Sequence, residues 1–152
     1  MKRPWAALGL VLALCAIMPR SAHAQGSSKD SRKPTIGQNY PNPFNPETKA
    51  NFTVGGYTQG GNPPCVDAIR QYRVSARIYN MLGQMVAVPV LFGSAGGVLG
   101  GTPLNSVQLP CGAYKLRWDG KTTNGREAAS GMYRLVIEQD GVRASVQIIV
   151  GK

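Results

Sequence analysis

Asp140 and Gly141 lie between two runs in which apolar and polar residues alternate. A two-residue Asp-Gly link takes positive φ at both positions and joins antiparallel strands, so it dictates which residues face each other. Partners are then residues whose numbers sum to 281. Ile137 meets Ala144, Leu135 meets Val146 and Tyr133 meets Ile148 on one face, while Glu138 meets Arg143 and Arg134 meets Gln147 on the other. A slip of one residue would mix the two sets, so side chains and turn specify the same register. Residues 131–150 are therefore predicted to form a β-hairpin with one apolar face.

The same punctuation recurs upstream. Runs at 48–54, 71–80, 84–92 and 113–118 alternate or stay apolar between Gly, Pro and Asn clusters, which is the pattern of strands. Tyr72, Val74, Ala76 and Ile78 point one way, Arg73, Ser75 and Arg77 the other, and Asn80-Met81-Leu82-Gly83 turns the chain into a second hairpin. Pro89 lacks a ladder donor, which confines that second strand to a sheet edge or a bulge. Tyr114, Leu116 and Trp118 form a further apolar face against Lys115, Arg117 and Asp119. With Gly 19 and Pro 11 in 152 residues, yet 43% hydrophobic, the chain is too apolar for disorder and too loop-dense for a helical bundle. About seven short strands, each with one apolar face, are most economically stacked as an antiparallel two-sheet sandwich.

The amino terminus is of another kind. Lys2 and Arg3 precede an apolar run over residues 6–18, followed by Ala22-His23-Ala24, the pattern of a secretory signal peptide cut between Ala24 and Gln25. As a helix the run is about 20 Å long, short of a bilayer core of about 30 Å, so no stable membrane span is expected after cleavage. The expected organisation is a signal peptide over 1–24, a polar leader over 25–34 and a single sandwich over 35–152. Cleavage removes the only histidine, His23, and Cys15, leaving Cys65 and Cys111. In an oxidising exported compartment this pair is expected as a disulfide, the alternative being two buried thiols. A bridge closing so long a loop stabilises by about 4 kcal/mol in the chain-entropy model.

Three strings occur in a particular order: QNYPNPFNPET (38–48), RIYNMLGQMV (77–86) and YKLRWDGKTTNGREAASGMYRLVI (114–137). Together they resemble the immunoglobulin-like domain shared by flagellar hook-capping proteins and by the type A C-terminal sorting domains of type IX secretion cargo. The likeness runs from about Thr35 to Lys152. It implies an immunoglobulin-like β-sandwich of about seven strands, placed at the cell surface or outside the cell, with the periplasm as the alternative. It also implies partners among secretion or envelope proteins, and a structural role for Pro41, Pro43, Phe44, Pro46, Gly83, Trp118, Asp119, Gly120, Gly125, Ser130, Gly131 and Tyr133. Two segments, 55–70 and 92–104, look longer than the family's usual connections, and Gln147 stands where the sorting domains commonly have lysine.

The motif residues also read physically. Phe44 is the one large apolar group in a proline-stiffened crossing and suits the end of a sandwich better than a polyproline ligand. Asp119, Gly120, Asn124 and Gly125 read as turn chemistry, because the segment lacks the dense carboxylates of a calcium loop. For function, a binding face for anionic glycans is a second candidate. Arg73, Arg77, Lys115, Arg117, Arg134 and Arg143 all fall on outward strand positions. Trp118 in phase with Tyr114 and Leu116 reads as core, and Tyr57 remains as a sugar-stacking group. No catalysis, cofactor or metal is expected of a mature chain without histidine, whose carboxylates are scattered over turns and outward positions. No nucleic-acid reader motif is present.

Overall fold

A computed structural model describes residues 33–151. The signal sequence, the cleavage site at Ala24 and Gln25, and most of the leader lie outside the described residues. Those described form nine strands and no helix. They are β1 (Thr35–Ile36), β2 (Thr48–Val54), β3 (Gln71–Asn80), β4 (Met85–Ala87), β5 (Val90–Leu91), β6 (Val107–Pro110), β7 (Gly112–Trp118), β8 (Gly131–Gln139) and β9 (Val142–Val150). Two antiparallel sheets result, one ordered β1-β2-β7-β5 and the other β4-β3-β8-β9, with β6 also paired to β3. The apolar positions of both sheets meet between the layers: Phe52, Val54 and Leu116 from one, and Tyr72, Val74, Ile78, Leu135, Ile137 and Ile148 from the other are all essentially buried.

The β8–β9 hairpin has the predicted register throughout, including Ile137 opposite Ala144, Tyr133 opposite Ile148 and Glu138 opposite Arg143. Asp140 and Gly141 both take positive φ, 47° and 84°. The aspartate does more than turn the chain. Its Oδ1 accepts the Arg73 amide at 3.0 Å and its Oδ2 the Arg70 guanidinium at 3.1 Å, which ties the hairpin tip to the start of β3. The second hairpin forms as read. Asn80 Oδ1 accepts the amides of Leu82 and Gln84, and Gly83 at φ 77° closes the turn.

The run 84–92 departs from expectation, since it is two strands in different sheets. β4 pairs with β3, whereas β5 pairs with β7 across the sandwich. The chain changes layers at Val88-Pro89. A proline cannot donate to either ladder, so the crossing falls where the backbone loses least, and the Pro89 carbonyl is used by the Leu104 amide at 2.9 Å. Ser75 was expected outward with Arg73 and Arg77, yet it is buried, because the chain ahead of β6 folds over it and the Ser106 amide donates to its hydroxyl at 2.9 Å. β1 and β6 were not anticipated. Two residues, and four ending in proline, are too short for alternation to register.

One end of the sandwich is sealed by the proline-rich segment. Phe44 is 2% exposed and packs on Trp118 with ring centroids 5.2 Å apart, and Trp118 meets Tyr133 edge-on at 5.6 Å. The Phe44 amide donates to the Ile149 carbonyl at 3.0 Å, and the Phe44 carbonyl accepts Gly151 N–H at 2.9 Å. Asn42 Oδ1 and Gln38 Nε2 take further backbone groups of Ile149 and Gln147, so this crossing covers the C-terminal half of the β9 edge. An exposed edge is thereby closed without another strand.

Candidate functional site

The end cluster shows what the motif residues do. Trp118 Nε1 donates to the Lys121 carbonyl at 2.8 Å, and Asp119 Oδ1 accepts the Lys121 amide at 3.1 Å. The Gly120 carbonyl accepts Ala128 N–H at 2.7 Å, and Gly125, at φ 79°, donates to the Thr122 carbonyl. Thr122 Oγ1 is bonded to Asn124 Oδ1. Asp119 and Asn124 are therefore used within their own turns, and among the described residues no group of three His, Cys, Asp or Glu could hold a metal ion. Pro41, Pro43 and Pro46 are exposed around buried Phe44, and Ser130 and Gly131 lead into β8. Trp118 lies in the core at 2% exposure.

The six basic residues do not share a face. Arg73, Arg77, Arg134 and Arg143 lie on the outer side of the β4-β3-β8-β9 sheet, while Lys115 and Arg117 lie on the outer side of the opposite sheet. The single basic surface is thus corrected to two, separated by the core. Alternation settles the outward phase of each strand but carries no information about which layer the strand joins. Each surface also carries acid. Arg143 Nε lies 2.6 Å from Glu138, whose hydrogen bond and charge hold the guanidinium pKa above its ordinary value. Glu47 lies 3.1 Å from Lys49 and 3.7 Å from Arg117. The guanidinium groups of Arg73, Arg77 and Arg134 have no carboxylate partner among the described residues. The outer face of the five-stranded sheet holds a shallow groove of about 240 Å³ between Tyr79, Arg134 and Arg143.

Cys65 and Cys111 form a disulfide, with Cα atoms 6.0 Å apart. It joins the long 55–70 loop to the short link between β6 and β7, so the glycine-rich 92–104 segment is not itself bridged. That segment is held by other means. The Phe92 amide donates to the Lys115 carbonyl at 2.8 Å, and Ala95 and Val98 exchange two backbone bonds of 3.0 Å. A Cβ on Gly96 would lie 2.9 Å from the Tyr114 hydroxyl, so the loop packs directly on the sandwich. Tyr114 donates to the Pro110 carbonyl at 2.8 Å, and burial raises its pKa above the ordinary 10.0.

Between the two loops, on the outer face of the β1-β2-β7-β5 sheet, lies a groove of about 570 Å³. Its floor is the cross-strand pairs Asn51–Lys115 and Thr53–Ala113. Tyr57 and Gln59 belong to one wall, Phe92 and Ala95 to the other. Phe92 is 41% exposed, with the Lys49 ammonium 4.5 Å and the Lys115 ammonium 5.8 Å from its ring centroid. Tyr57 and Lys115 are among the candidate residues of the sequence, whereas Phe92 and Asn51 are not. Phe92 reads locally as the end of a strand, and only the crossing at Pro89 carries it to the other sheet.

The described residues thus define an all-β, disulfide-linked, two-sheet sandwich. Compared with known proteins, the chain matches no family, no curated protein and no solved structure. A disulfide is compatible with an oxidising, exported location, and among the described residues no helix is long and apolar enough to cross a membrane.

Proposed function

We propose that the protein is an exported, non-catalytic immunoglobulin-like module that serves as a sorting or assembly domain, addressed to secretion or envelope proteins. The observation that carries this reading is the strand order. β1-β2-β7-β5 facing β4-β3-β8-β9 follows the A-B-E-D and C′-C-F-G arrangement of immunoglobulin-like sandwiches. Further support comes from Tyr133, whose hydroxyl donates to the Ala129 carbonyl at the mouth of β8, the position of a tyrosine corner. Two of the three strings that resemble the sorting domains also meet physically, since Phe44 of the first packs on Trp118 of the third, which in turn meets Tyr133 edge-on. Function would then reside in the intact end of the sandwich and the C-terminal strand rather than in a reactive centre. Appending the mature chain to an otherwise periplasmic passenger, in a host with type IX machinery, is expected to bring the passenger to the surface or medium. A passenger that stays in the periplasm refutes the sorting role.

A second reading is favoured by Arg73, Arg77 and Arg134, three cations on one sheet face without acidic partners: binding to an anionic envelope polymer. Retention on an acidic polysaccharide matrix should then weaken steeply with salt. Equal elution at low and high salt dismisses it.

A further inference from the structure

We infer that the groove between the 55–70 and 92–104 loops is a binding site for an acidic oligosaccharide, with Phe92 as the stacking platform and Lys115 as the carboxylate partner. The site lies on the opposite sheet from the arginine face and requires neither reading above.

Four observations converge on this ligand chemistry. The groove, about 570 Å³, is within the range of small-molecule sites. It offers an aromatic ring that is 41% exposed although it sits in a folded wall. Asn51 and Gln59 contribute side-chain amides with no hydrogen-bond partner among the described residues, able to donate and accept at once. Lys115 adds a cation that no described carboxylate neutralises. The second ammonium near Phe92, that of Lys49, is engaged by Glu47, which leaves Lys115 to receive a ligand's charge.

The floor of the groove decides against a peptide. It is the face of a sheet, with β2 and β7 already paired along Thr48–Val54, so an extended peptide finds no free backbone ladder to join. An amphipathic helix would need a continuous apolar strip, and the apolar surface here is two rings on opposite walls, Tyr57 and Phe92, with alanines 95 and 113 and the polar Asn51, Thr53 and Lys115 between them. A ligand with hydroxyls for the amides, C–H faces for the ring and a carboxylate for Lys115 satisfies every group. A chain of uronic acids has that composition.

The walls are built before any ligand arrives. The disulfide holds one loop, and Gly96 against Tyr114 with the Ala95–Val98 bonds holds the other. Binding therefore orders little that is not already ordered.

The test is titration of the intact, ¹⁵N-labelled, disulfide-bonded chain with a short oligogalacturonate, and with its methyl ester as the uncharged counterpart. The acid is expected to shift the amides of Asn51, Phe92, Ala113 and Lys115. Phe92→Ala should weaken binding about tenfold, the order of one lost aromatic contact. Lys115→Gln should reduce the preference for acid over ester by about tenfold, as befits one charge-assisted hydrogen bond. Unchanged amides of the β8–β9 hairpin will show that each variant is folded. Absence of shifts, shifts confined to Arg73, Arg77 and Arg134, or affinity indifferent to Phe92→Ala each overturn the assignment.

Discussion

Gly120→Ala is expected to destabilise the sandwich by about 3 kcal/mol, and Gly125→Ala, five residues on in the same loop, by about 1 kcal/mol. Both glycines take left-handed φ, 72° and 79°. For an L-residue that conformation costs about 1–2 kcal/mol, partly offset by the lower entropy of the unfolded alanine chain, about 0.4–1 kcal/mol. The two sites differ in what a methyl group would meet. At Gly125 nothing lies within 4 Å, whereas at Gly120 the new Cβ would sit 2.5 Å from the backbone carbonyl oxygen of Pro46. That oxygen belongs to the crossing that seats Phe44, so relief requires the seal to move, an overpacking cost of about 1–3 kcal/mol. With a urea slope of about 2 kcal/mol/M, the two midpoints should differ by about 1 M. Near-ultraviolet dichroism should also change in Gly120→Ala alone, because Phe44 is drawn off Trp118. Equal midpoints for the two variants would refute the claim that Gly120 is a contact between two motifs rather than merely a turn residue.

Further outcomes follow from the same geometry. Breaking Cys65–Cys111 by paired serine substitution should lower stability by about 4 kcal/mol in the loop-entropy model; superimposable urea curves with and without reductant for the native chain would count against it. Phe44→Ala should cost about 3–5 kcal/mol, as for a buried aromatic, while Tyr40→Ala, 82% exposed, should leave the melting temperature nearly unchanged. Because burial raises the Tyr114 pKa above 10.0, the unfolded chain releases that proton first. Stability is then level below that pH and declines above it. Tyr114→Phe should remove its share of the alkaline decline, and equal slopes for the two proteins would contradict this.

Much of the molecule was legible in its residues, for a reason that the β8–β9 hairpin makes plain. Alternation with period two and the demand of Asp140-Gly141 for positive φ are both local, so they specify partner, face and turn together. Tyr72, Val74, Ala76 and Ile78 point inward on the same grounds, and Phe44 is the core residue its isolation among prolines implied. The candidate site was far less legible. Period two tells which side of its own strand a residue occupies, but the sheet that receives the strand is decided by pairings between distant segments.

That difference divides the two sources of information. From residue order alone came the apolar faces, the hairpin register, the cysteine pairing and the sandwich as the means of burying one face per strand. Only the tertiary structure decided that Lys115 and Arg117 lie across the core from the four arginines. It alone showed that the chain changes layers at Pro89, and that Phe92 thereby lines one groove with Asn51 and Lys115 beside a loop anchored through Cys65. Long-range backbone pairing makes these assignments, and its free energy depends on the whole assembled layer rather than on any short window of sequence.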